Sequence, residues 1–94
     1  MIIVSGQIYV HPEARQGFLT SSLDAVLQAR RSSGCRDFVV AADPVEPDRV
    51  NVYEEWDSEE ALLAFRGAGP APDLRASIVR ANVFRHVVAV TGPA

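Results

Sequence analysis

The stretch Arg49–Phe65, RVNVYEEWDSEEALLAF, decides the fold. Val50, Val52 and Trp56 alternate with Asn51, Tyr53 and Glu55, the period of two that marks a strand. Asp57 then stands at the predicted N-cap of a helix, with Glu60 three residues on to close a capping box. Ala61, Leu62 and Phe65 give that helix an apolar stripe. The lone Trp sits at the joint, where sheet meets helix and where small pockets form.

Working outward, Ile2 to Val10 reads as a first strand with Ile2, Val4, Ile8 and Val10 on one face. Gly6 interrupts that face. It leaves room for a neighbouring backbone or for a ligand. Pro12 suits the first turn of a helix that runs to about Ser33 and ends at Gly34. Leu19, Leu23, Val26 and Leu27 form its expected buried stripe, widened by Phe18, Ala25 and Ala29. A second strand spans Cys35–Ala42. The polar link Asp43–Asp48 is short enough for an antiparallel hairpin to the third strand. The second helix runs from Ser58 to about Arg66 and stops at Gly67-Ala-Gly-Pro70. Pro72 opens a further short helix with Leu74 and Ile78 on one face. Asn82–Val90 is the last strand, and 91–94 a short tail.

The order β-α-β-β-α-β predicts an α+β, ferredoxin-like fold, with a four-stranded antiparallel sheet and both long helices on one face. At 94 residues the chain is a single domain spanning 1–94. A domain of this size buries only about 60–65% of its unfolded surface. Asn51 and Tyr53 make the helix-free face too mixed for plain solvent exposure. Two such sheets packed face to face would cover it, so a homodimer is expected.

Composition excludes several classes. Net charge is −3, and all nine basic residues are scattered arginines, which argues against nucleic acid as a partner. Arg without Lys, beside abundant Ala, Val and Pro, is the composition of GC-rich bacterial proteins. One cysteine, Cys35, forms no intrachain disulfide and reads as a small buried hydrophobe. No apolar run approaches the ~20 residues that span a bilayer. The first residues alternate like a strand and lack a basic leader, so a cytoplasmic protein without membrane contact is expected. His11, His86 and Cys35 lack ligand spacing, which disfavours a metal site. The Gly67–Pro70 turn lacks the strand-to-helix setting of a phosphate loop.

Val10-His-Pro12, Gly34-Cys35, Asp43-Pro44 and above all Tyr53-Glu-Glu-Trp-Asp-Ser-Glu-Glu-Ala-Leu62 resemble the antibiotic biosynthesis monooxygenase (ABM) family of dimeric α+β barrels. The resemblance implies oxidation of phenolic, quinol or polycyclic aromatic substrates by O₂ with no cofactor, neither metal nor flavin. A deprotonated phenol or hydroquinone itself reduces O₂, so the protein need only bind the ring, favour the anion and exclude water. Two polar markers of the family are missing. An Asn four residues before the motif Trp is replaced by Val52, with Asn51 one place earlier and so on the opposite face. A His nine residues after the Trp is replaced by Phe65. No His lies between Gly67 and Val79, which disfavours the haem-degrading branch.

Six candidate site residues follow. Trp56 is a ring-stacking wall or core packing. Glu54, on the same face, is a base with a raised pKa or half of a structural pair with an Arg. His86, on the face of Phe84, Val88 and Val90, is a proton carrier or a satisfied core residue. Phe65 packs beside Trp56, Phe84 lines the same cavity, and Gly6 is the gap that makes it or a packing concession. The enzyme reading places Glu54, Trp56, Phe65 and His86 around one cavity between sheet and helices. The alternative is a non-catalytic ligand-binding or stress-related barrel, its cavity filled by Trp56, Phe65 and Phe84.

Overall fold

The computed structural model describes residues 1–67 and 72–94. It contains β1 (Ile2–Val10), a 3-10 turn (Pro12–Ala14), α1 (Arg15–Arg31), β2 (Cys35–Ala42), β3 (Arg49–Trp56), α2 (Glu59–Arg66), α3 (Pro72–Ser77) and β4 (Ile78–Val87). The strands form one antiparallel sheet in the order β2-β3-β1-β4. This is the expected ferredoxin-like α+β plan. Part of the predicted turn at Gly67–Pro70 lies outside the described residues.

Burial on β3 alternates without a break. Val50, Val52, Glu54 and Trp56 are buried, while Arg49, Asn51, Tyr53 and Glu55 are half-buried. Of this inner set, Trp56 clusters with Val26 and Ala29 of α1 and Leu62 of α2, together with Ile2, Val4 and Phe38. A second apolar cluster of Val10, Phe18 and Val50 lies at the other end of the strands, with Leu74 and Ile78 against it. Both clusters occupy the helix side of the sheet.

Several local expectations need correction. Ser58, not Asp57, caps α2, its hydroxyl accepting the Ala61 N–H at 3.1 Å. Asp57 instead pairs with Arg36. On α1 the buried residues are Phe18, Ser22, Val26 and Ala29, while Leu23 and Leu27 are 56% and 43% exposed. The stripe is rotated because the small Ser22 and Ala29 let the helix sit close to the sheet. The Ser22 hydroxyl meets its own hydrogen-bonding need at the Phe18 carbonyl, 2.7 Å away. β4 starts at Ile78, four residues before its predicted start, because Ile78 pairs with Val10 once the register skips Val79 of β4.

The β2–β3 hairpin is tied to α1 by one side chain. Arg15 Nη1 donates to the carbonyls of Asp43, Glu46 and Arg49 at 3.2, 2.9 and 3.4 Å. Within the hairpin, the Asp43 carboxylate accepts the Val45 and Glu46 N–H groups and the Asn51 side-chain amide. These bonds, with the nearby Arg49 charge, hold the Asp43 carboxyl down to about 2.

Candidate functional site

Glu54 and Trp56 are two residues apart on β3, so both face the helices. Trp56 Nε1 donates to Glu54 Oε1 at 2.9 Å. Trp56 is fully buried and Glu54 is 8% exposed. Burial pushes the Glu54 carboxyl above its ordinary value; the indole N–H and the charge of Arg66 pull the other way without cancelling it. The result is a carboxyl able to hold or take a proton inside an apolar layer.

Two further rings pack against Trp56. The Trp56 and Phe65 rings are tilted at 5.3 Å between centroids, Phe38 meets Trp56 edge-on at 6.5 Å, and Phe38 meets Phe65 at 5.6 Å. Such contacts add roughly 0.5–1.5 kcal/mol each beyond area burial. Phe65 therefore packs beside Trp56 as expected. Phe38 was not singled out from sequence, although its place on β2, opposite Glu54, puts it on the same face.

His86 and Phe84 lie elsewhere. Their register partners on β1 are Ile3 and Ser5, whereas Ile2 and Val4 are the partners of Trp56 and Glu54. Strand alternation thus sends His86 and Phe84 to the helix-free face. The expectation of one cavity lined by Glu54, Trp56, Phe65 and His86 is corrected by this register. The alternative in which Phe84 fills that cavity fails for the same reason, since Phe84 is 64% exposed.

Gly6 sits between Val52 and Val83 with φ +151°. A Cβ there would stand 1.9 Å from the Asn82 carbonyl oxygen. The space that a side chain would take is filled by the β4 backbone. Cys35 is half-buried against the core, and burial, followed by the charges of Glu54 and Asp37, raises its thiol. It is poorly suited to thiolate chemistry.

Two shallow cavities lie at the far end of the strands from Trp56. One, of about 140 Å³, is bordered by Tyr9, His11, Asp48 and Arg80. The other, of about 290 Å³, lies between α1 and α3 and is bordered by Gly17, Phe18, Ser21 and Leu74. Among the described residues no three His, Cys, Asp or Glu side chains gather into a metal-binding group. No described helix is long and apolar enough to cross a membrane.

The order of elements, the buried β3 motif and the helix-capping segment all agree with one family. Residues 1–76 match the sequence profile named "Antibiotic biosynthesis monooxygenase". The chain belongs to the ABM family. A Nitrosomonas europaea protein carrying that family's name is 15% identical, with a TM-score of 0.82 over 96% of this chain and 100% of that one. A Deinococcus radiodurans protein of the same name is also 15% identical, with a TM-score of 0.82 over 100% and 98%. A third, from Chloroflexus aurantiacus, reaches 25% identity and a TM-score of 0.75 over 99% and 96%. Curated proteins contain no match to the chain. The first two likenesses establish shared architecture, and the ABM profile extends that to shared ancestry.

Proposed function

We propose that this ABM protein is a cofactor-independent monooxygenase acting as a homodimer on an electron-rich phenolic, quinol or polycyclic aromatic substrate. The observation that carries this reading is the Glu54–Trp56 pair, a buried carboxyl with a raised pKa beside aromatic rings. A carboxylate so placed takes the phenol or α-keto C–H proton. The resulting anion passes electrons to O₂. For oxidation of a ring CH₂ to a ketone, one oxygen atom enters the carbon and the other leaves as water, the substrate supplying all four electrons. Trp56 and Phe65 serve as the aromatic wall, and Glu54 as the base. His86 and Phe84 belong to the outer sheet face, where a second copy would cover them, so they act in assembly rather than beside Glu54.

A second reading has its own support. Trp56 is completely buried by Phe38 and Phe65, the packing expected if this end of the barrel is core and the protein only binds ligands. Fold alone does not separate the two.

Oxygen-electrode turnover of anthrone-type and hydroquinone substrates, with chelator present and flavin absent, decides between them. The enzyme reading expects saturable O₂ uptake by the wild type and loss of uptake in folded Glu54→Gln. Uptake at the uncatalysed rate across the panel would leave the binding protein.

A further inference from the structure

The first turn of β4 departs from regular pairing beside the smaller of the two cavities. Tyr9 pairs with Arg80 and Val10 with Ile78, so Val79 is an extra residue without a partner on β1, a β-bulge. Regular pairing would set Val79 opposite Val10. The bulge gives that place to Ile78, which packs against the Val10, Phe18 and Val50 cluster, and leaves Val79 59% exposed at the cavity. Next to it, the Arg80 guanidinium carbon sits 4.1 Å from the centroid of the Tyr9 ring. That ring is itself fixed, since Tyr9 is buried and its hydroxyl donates to Glu46 at 3.5 Å. Stacking uses the face of the guanidinium and leaves N–H donors on its edge free. Among the described residues Arg80 enters no ion pair, and neither does Asp48, although both border the cavity. His11 borders it too. It is the N-cap of the 3-10 turn, yet its side chain makes no capping bond, so a ring N–H remains to donate. Val10, Pro12 and Val79 complete the lining with apolar surface.

We propose that this cavity binds a short-chain aliphatic monocarboxylate, its carboxylate held by Arg80 and His11 and its stem lying on Val10, Pro12 and Val79. A planar carboxylate matches the paired N–H donors on a guanidinium edge. Because Tyr9 already orders Arg80, less side-chain freedom is lost when the ligand arrives. Asp48 on the same border opposes a second negative charge, which favours a monocarboxylate over a dicarboxylate or phosphate. The volume of about 140 Å³ is the space of a few waters at ~30 Å³ each, enough for a small acid and too little for a polycyclic ring. Covering the exposed Val79 side chain with an aliphatic stem removes apolar surface from water. The site lies at the opposite end of the strands from the Glu54–Trp56 pair and is independent of the monooxygenase reading.

Amide chemical shifts of the isotope-labelled full chain, titrated with sodium butyrate, test the assignment. Sodium chloride, inorganic phosphate and butylamine are the comparison solutes. The expected result is saturable shifts at Val10, His11, Val79 and Arg80 with butyrate, at a Kd on the order of 1 mM, and no saturation there with chloride or butylamine. Arg80→Gln should weaken butyrate binding roughly tenfold or more, with the amides around Trp56 unmoved as the sign that the variant is folded. Arg80→Lys keeps the charge but loses the fork, and should weaken it too. Val79→Asp, at an exposed position, should weaken it by repulsion without touching Arg80. The same shifts with chloride, or an Arg80→Gln variant that binds as the wild type does, would overturn the site. Tighter binding of phosphate than of butyrate would overturn the carboxylate assignment, and unchanged affinity in Val79→Asp would overturn the placement of the stem.

Discussion

The indole N–H of Trp56 donates to the carboxyl of Glu54 at 2.9 Å, joining the two most deeply placed functional candidates of the chain. Each makes the other possible. Trp56 buried without an acceptor would leave an unsatisfied N–H, and Glu54 buried without a donor would carry an uncompensated carboxyl.

Glu54 should make stability depend on pH in a specific direction. Its native carboxyl titrates above the ordinary 4.5, so the folded chain retains a proton that the unfolded chain has released. Stability then falls as pH rises from about 4.5 to the raised native value, and levels beyond it. Glu54→Gln keeps an acceptor for Trp56 and removes the titration. Urea midpoints measured across this range should decline for the wild type and stay flatter for the variant. Parallel curves would mean that Glu54 ionises as easily folded as unfolded.

Trp56→Ala should cost about 3–5 kcal/mol in urea unfolding, the range for emptying a buried aromatic site. Trp56→Phe should cost less in volume but strands the Glu54 carboxyl. Combining it with Glu54→Gln should therefore recover part of the loss. Independent, additive losses would show that the hydrogen bond carries no coupling.

Gly6→Ala and Gly17→Ala should have opposite signs. At Gly6 the new methyl meets the Asn82 carbonyl oxygen, and β1 and β4 must separate. At Gly17, within α1, nothing lies within 4 Å of the new Cβ. There, alanine should stabilise by roughly 0.5–1 kcal/mol through helix propensity. Thermal midpoints of the two variants, one lower and one higher than wild type, are the check.

Asp43→Asn should destabilise the protein at neutral pH and not in strong acid. The native carboxyl titrates at about 2, below its ordinary value of 3.8. Its stabilising effect is complete above the unfolded value and fades as pH falls towards the native one. Wild-type and variant midpoints should thus converge near pH 2. A constant gap would assign the effect to hydrogen-bond shape rather than charge.

Most of the fold was legible because strand alternation and glycine or proline punctuation are local signals. The β3 pattern named its own buried face, and Glu54 fell on it. Where the reading slipped, a contact between distant segments had decided the outcome. Asp57 carries the better-known capping pattern, yet Arg36 on β2 claims its carboxylate and leaves Ser58 to cap. Leu23 and Leu27 outrank Ser22 and Ala29 in hydrophobicity, but close approach of α1 to the sheet favours the small pair. His86 was assigned the correct strand and the correct companion in Phe84. What sequence did not supply was the register of β4 against β1, which turns both residues away from Trp56. Arg15 gave no signal at all, since its partners are backbone carbonyls.

The position of β1 in the middle of the sheet governs how the chain must fold. Its neighbours β3 and β4 both lie far along the sequence, with Ile2 opposite Trp56 on one side and Val87 on the other. During synthesis β1 leaves the ribosome before either neighbour exists, and until β4 follows, its apolar face has only α1 and the β2–β3 hairpin to shelter it. Loop-closure entropy must be met twice before the sheet is whole. Docking of β4 is the late event, and the protein is most exposed to mispairing in the interval before it arrives.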